Sequence, residues 1–284
     1  MTTLTSVTPT TSAAPVAEPP ARFRDLLASE WIKMRSLRST PWTITLTTLF
    51  VIGSAAVAAL ADYKNFASSS PSTRQPHDFL PFDAYPSAGY MTLMLVAGSI
   101  GAITVVSEYS SGLIRTTTVA VPARSSVVLA KAVVTAALWT AVGTVISTGS
   151  FLVSQAILNG RHAGVPITHP GVFRAMVASA LLAPVCALVG LGLGVLIRHS
   201  AATMVTSVFT LLILPTLFSQ SERWSADINH TMVVSAWRRL VQNWGPSPES
   251  HMFTATVPGS WIVYALWPLI AVALAAVVVR HRDV

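Results

Sequence analysis

Charge is scarce in this chain. Only 10% of its 284 residues are Asp, Glu, Lys or Arg, against roughly a quarter in soluble domains, so the surface is too poor in charge to sit in water alone. Lysine is rarer still: Lys33, Lys64 and Lys131 are all there are, and Met, Asn and Ala follow them. No Gly-Lys-Ser/Thr phosphate loop exists, which excludes ATP hydrolysis by this chain alone through a Walker motif. The one cysteine, Cys186, cannot form an intrachain disulfide and says nothing of redox compartment. None of the eleven acids lies well inside an apolar run, with Asp62 and Glu108 at edges, and the seven histidines are scattered with no pair at i, i+4. An intramembrane enzyme would need such groups to converge. An ion-coupled carrier usually keeps ionisable groups near the midplane, although a carbonyl-built site near Pro184 and Pro215 stays open to it. The first twenty residues hold no Lys or Arg and no apolar core. They do not form a secretory signal and are expected to be a disordered cytoplasmic tail, residues 1–20.

What the chain has in quantity is apolar length. Hydrophobic residues make up 52% of it and the mean hydropathy is +0.60. A helix needs about 20 apolar residues to cross roughly 30 Å of hydrocarbon. Six runs qualify, at about 42–61, 88–106, 132–158, 175–197, 200–218 and 260–279. The fourth and fifth are parted only by Arg198-His199, but together they are too long for one crossing. The expected fold is an all-α integral membrane protein: an amphipathic interfacial helix over residues 21–41, then a six-helix transmembrane domain over residues 42–284.

Lys and Arg set the orientation. The tail, the second and fourth connectors and the C-terminus hold eleven of the 18 basic residues and five acids; the other connectors hold seven basic residues and six acids. Both termini are therefore expected in the cytoplasm. The net charge of +7 reads as a topology signal with contact to anionic lipid, and nucleic-acid binding is disfavoured. Pro184, Pro215 and Pro268 fall inside runs, where they mark kinks. Gly190, Gly192 and Gly194 have no preceding strand, so close helix packing is the reading, not a dinucleotide loop.

Ahead of the first run, Phe23, Leu26, Leu27, Trp31, Met34 and Leu37 gather on one helical face, and Pro41 is expected to end this segment. The pattern fits a helix lying on the inner leaflet, with Trp31 as anchor. Glu30 falls near the middle of the apolar face, where an unpaired carboxylate is costly. Either it tilts toward headgroups or a nearby Arg, or it pairs with Arg115 or Arg124. The second connector, 107–131, mixes Glu108, Arg115, Arg124 and Lys131 with Leu113, Ile114, Val119 and Val121, interrupted by Gly112 and Pro122. That fits a short helix between two turns that docks on a soluble partner. In the long loop before the last run, Val233, Trp237, Leu240, Val241 and Trp244 recur at helical spacing. They predict a helix lying on or dipping into the outer leaflet.

Leu26-Leu27-Ala28-Ser29-Glu30-Trp31-Ile32-Lys33 with Arg35-Ser36-Leu37-Arg38 resembles the helix leading into the first span of ABC-2 type transporter permeases, particularly actinobacterial ones. Glu108-Tyr109-Ser110-Ser111-Gly112-Leu113-Ile114-Arg115-Thr116-Thr117, with Pro122-Ala123-Arg124 and Lys131, is similar to that family's connector after the second span. Leu113 departs from the Thr common there. The resemblance implies a plasma-membrane permease of an ABC transporter, more in keeping with export than import and without enzymatic activity of its own. Its connector would be a coupling helix on a separate ATP-binding subunit, which carries the ATP and Mg. Glu108, Gly112, Arg115 and Arg124 are then the coupling positions, with Glu30 beside them. The resemblance also implies a second permease subunit, identical or from a sister gene, and a short-helix gate before the last span. It places the second and fifth spans beside the dimer cavity, which makes Thr92, Met94, Thr206, Phe209 and Thr210 candidate path residues; ordinary span packing is the competing reading for each. An ion-coupled carrier and a non-transporting anchor or sensor remain the alternatives.

Overall fold

In hydrocarbon every backbone N–H and C=O must be satisfied within the segment, so a long apolar run has little choice but a helix. The computed structural model describes residues 22–36, 39–68, 81–112, 124–242 and 252–281, and among these there is no strand. Helix α1 spans Phe23–Ser36, α2 Ser39–Ser68, α3 Pro81–Ala84, α4 Ser87–Ser110, α5 Arg124–Asn159 and α6 Val172–Ile197. Helix α7, Ser200–Val208, continues through a π turn at Phe209–Ile213 and a 3₁₀ turn at Leu214–Leu217. Then come α8 at Arg223–His230, α9 at Val233–Val241 and α10 at Val257–His281. The tail, residues 1–20, lies outside the described residues.

Six of these are long and apolar enough to cross a membrane: Ser39–Asn65, Ser87–Ser110, Ser125–Asn159, Val172–Ile197, Ser200–Leu217 and Val257–His281. The chain is a multi-pass membrane protein. Its helices run past the apolar runs because backbone hydrogen bonding continues beyond them. Pro41 does not end α1; it sits in the first turn of α2, where an N–H has no intrahelical acceptor and proline costs nothing. The break between the fourth and fifth crossings is real: Arg198 takes a left-handed conformation at φ 58°, and the His199 side chain accepts from the Ala202 N–H to open α7.

Helix α6 is the centre of the bundle and packs against α4, α5, α7, α9 and α10. Its glycines make this possible. A Cβ on Gly190 would meet the Gly98 carbonyl oxygen of α4 at 1.9 Å, and one on Gly192 would meet Ala271 of α10 at 2.8 Å. Facing residues reciprocate, Gly101 against the Ala187 carbonyl and Gly143 against the Ala180 carbonyl. With lipid as apolar as the side chains, such close van der Waals contact is the main force left to hold helices together. By contrast α2 and α10 present Trp42, Leu46, Phe50, Leu266 and Leu269 outward, as a lipid-contacting surface requires.

Regular hydrogen bonding fails in α7 just before Pro215, which lacks an N–H. Where the segment ends, Asn229 of α8 caps it, donating to the Pro215 carbonyl at 2.8 Å and the Phe218 carbonyl at 3.0 Å. The helix expected from Val233, Trp237 and Leu240 forms as α9, and it dips into the protein instead of lying on a leaflet. Trp237 is 1% exposed, stacks on Tyr90 with centroids 5.2 Å apart and donates its indole N–H to Ser179 at 3.1 Å. Arg174 of α6 fixes the end of α9 by donating to the Leu240 carbonyl at 2.9 Å.

Candidate functional site

Two carboxylates and two ammonium groups meet where α1, α4 and α5 converge. Helix α1 turns Glu30 and Lys33, one turn apart, toward the bundle, with Met34 buried beside them. Helix α4 supplies Glu108 from its last turn, and α5 supplies Lys131. Lys33 Nζ donates to Glu30 Oε1 at 2.8 Å and Glu108 Oε1 at 2.9 Å. Lys131 Nζ donates to Glu30 Oε2 at 2.5 Å and Glu108 Oε1 at 2.9 Å. The result is a closed ring of alternating charge, neutral in sum, spanning three helices.

Burial makes the ring consequential. Glu30, Glu108 and Lys131 are 4%, 8% and 6% exposed; only Lys33, with 38% of its side chain accessible, touches solvent. Ionised groups this deep persist only when paired and hydrogen-bonded. Burial works against the charge of Lys33, but hydrogen bonds to Glu30 and Glu108 and their negative charge outweigh it, holding the ammonium pKa above its ordinary value. The ring borders a cavity of about 290 Å³ whose further lining includes Thr104, Ser107, Ser111 and Val134. Just beyond it α4 ends: Ser111 N–H donates to the Ser107 carbonyl, and Gly112 adopts φ 72°, a left-handed geometry that glycine enters without strain. Nearby, the Arg198 guanidinium lies 4.8 Å from the centre of the Tyr109 ring, tying the α6–α7 turn to the same end of α4.

The structure thus brings Glu30 and Glu108 together and places Gly112 one turn away. Arg115 lies outside the described residues, as does the short helix expected after it. Arg124 opens α5, and its side chain is outside the described residues too. Glu30 is held by Lys131 and Lys33. Those two lysines are the members that sequence reasoning missed; the available signal was a carboxylate on an apolar face in a chain with three lysines. The expected path residues differ in burial. Met94 is fully buried in the core, because α6 and α7 cover its side of α4. Thr92 donates its hydroxyl to the Ala88 carbonyl. On α7, which packs on α4, Thr206 and Thr210 are half-buried and Phe209, at the start of the π turn, is 42% exposed.

With both carboxylates already engaged by ammonium groups, the ring acts as a joint: none of the three helices can shift without separating buried charges. Among the described residues no group of three or more His, Cys, Asp or Glu is placed to hold a metal ion. Compared with known proteins, the chain matches no family model and no curated sequence.

Proposed function

We propose that this chain is the membrane-spanning permease subunit of an ABC-2 type transporter in the plasma membrane. In this reading it is an exporter driven by ATP hydrolysis, with ATP and Mg held on a separate subunit docked at the 107–131 connector. The observation that carries the reading is the ring's position. Glu108 and Lys131 stand at the two ends of that connector and pair with each other, and each grips α1, Glu108 through Lys33 and Lys131 through Glu30. Helix α1 in turn leads into α2 after two residues. A load applied to the connector therefore reaches α1, α4 and α5 together and is handed to α2, as rigid-body coupling between a motor and a membrane bundle requires. Exposed Phe23, Trp31 and Ile32 on α1, with Arg24 and Arg35 beside them, suit a helix lying on the cytoplasmic leaflet. The Lys and Arg distribution supports both termini on that side. A second permease copy, identical or sister, completes the transporter.

Co-purification in mild detergent tests this reading, with Arg115→Glu as the variant because Arg115 is not one of the four members of the buried ring. The expected result is a Walker-motif ATPase bound to the wild type and lost from the variant, at unchanged thermal stability. Absence of an ATPase from intact, folded protein would overturn it and favour the ion-coupled carrier or the passive anchor.

A further inference from the structure

At the end of the bundle opposite the charged ring lies a second cavity, about 650 Å³, between α8, the segment 252–256 and the first turns of α10. One wall carries Arg223, Asp227 and His230, and the opposite side carries Phe253, Ser260 and Val263. The cavity is held open by its frame. His230 Nε2 bonds the Phe253 carbonyl at 3.0 Å, Arg239 donates to the Ala255 carbonyl at 2.6 Å, and Trp267 of α10 donates to the Thr231 carbonyl at 2.7 Å.

Arg223 and Asp227 are the notable pair. They stand at i and i+4 on α8, a spacing at which opposite charges usually meet, yet they form no ion pair with each other or with any described residue. Both line the cavity, so it offers a cationic and an anionic group about 6 Å apart along the helix. Around them Trp224, Ile228, Met252 and Phe253 expose apolar surface. That combination belongs at a lipid interface, where one end of a ligand is apolar and the other wet.

We propose that this cavity binds the headgroup of a zwitterionic phospholipid, in the leaflet opposite the charged ring. Arg223 takes the phosphate, Asp227 takes the ammonium, and the acyl chains leave over Phe253 and Trp224. Charge complementarity selects the class: an anionic headgroup would satisfy Arg223 and oppose Asp227. The assignment does not depend on an ATP-binding partner, and its test involves none.

Native mass spectrometry of the whole chain, delipidated in a maltoside detergent, provides the test. Phosphatidylethanolamine, phosphatidylglycerol, soluble glycerophosphoethanolamine and inorganic phosphate are added separately. The wild type is expected to retain phosphatidylethanolamine in preference to phosphatidylglycerol, and to hold neither soluble probe. Asp227→Asn should abolish that preference, and Arg223→Gln should weaken both lipids about tenfold, the loss expected of one charge-assisted hydrogen bond. Arg223→Lys should recover part of the binding. Both residues are exposed, so these variants keep the fold, which melting checks. Lipid binding that ignores all three substitutions would overturn the proposal. So would binding of either soluble probe as tight as that of the lipid, which would mark a solute site.

Discussion

Replacing Lys131 with methionine removes the most deeply placed cation of the ring and keeps the volume of its stem. Glu30 and Glu108 are then left with Lys33 alone, at the solvent-facing edge. Removing one partner from a buried ion pair costs about 3–5 kcal/mol, because the remaining charge stays desolvated. Lys33→Met removes a cation of the same sign from the half-exposed edge, where water can take its place, and is expected to cost no more than about 1 kcal/mol. At roughly 2 °C per kcal/mol for a chain of this size, Lys131→Met should lower the melting temperature by roughly 6–10 °C. Glu30→Gln added to Lys131→Met restores neutrality and should recover most of the loss. The assay is supplied by the chain itself. Cys186 is the single cysteine and fully buried, so a thiol-reactive dye in detergent reports unfolding with one label per molecule. A swap distinguishes a ring from independent pairs. Glu108→Lys with Lys131→Glu keeps those two positions opposite in charge but sets 108 against Lys33 and 131 against Glu30 as like charges. A ring predicts that this double variant stays destabilised and that the fourfold swap, adding Glu30→Lys and Lys33→Glu, recovers. Equal losses for Lys131→Met and Lys33→Met, or full recovery in the double swap, would refute the reasoning.

Three further outcomes follow from packing and titration. Gly190→Ala drives a methyl into the Gly98 backbone and should cost about 3 kcal/mol or more in the same assay, the upper range of overpacking; Gly53→Ala, with nothing within 4 Å, should stabilise by about 0.5–1 kcal/mol. Asn229→Leu strips the hydrogen bonds from the Pro215 and Phe218 carbonyls and should cost about 1–3 kcal/mol, visible as faster backbone hydrogen exchange at Leu214–Leu217. Burial first, then the hydrogen bond and negative charge of Asp62, pushes the Asp83 carboxyl up to about 9 from its ordinary 3.8. The folded state thus keeps a proton that the unfolded state releases, and wild-type stability should fall as pH rises from about 4 toward 9. Asp83→Asn should flatten that slope, with melting curves at pH 5 and 8.5 as the check.

The crossings were legible because a twenty-residue apolar run has essentially one stable form in a bilayer. What those runs touch was not legible. In α4 every face is apolar, so periodicity could not separate Met94, buried against α6, from a side chain facing a cavity. Trp237 illustrates the same limit: its spacing placed α9 correctly, but a face of Val, Trp and Leu suits lipid and protein equally, and the deciding contacts with Tyr90 and Ser179 come from distant helices. Helix α8 escaped notice because Arg223–His230 is mostly polar and short. For the ring, the sequence flagged Glu30 by its cost, and the resemblance supplied Glu108. One partner of Glu30, Lys33, is a helical turn away on α1; the other, Lys131, lies 101 positions away, a pairing set by tertiary packing.

Why a buried ionic ring should stand at this joint follows from its energetics. An apolar substitute of similar volume would often be as stable or more so, so stability alone does not explain four charges among helices otherwise packed by Gly and Ala. Apolar contacts slide past one another at little cost, because one methyl group is nearly as good as the next. A closed ring of alternating charge accepts one register only: moving α1 by a turn along α4 and α5 would bring unpaired carboxylates into a buried site. The ring therefore fixes the position of α1 against the two helices that carry the connector, and a joint with a single register is what transmission of force from a docked partner would need.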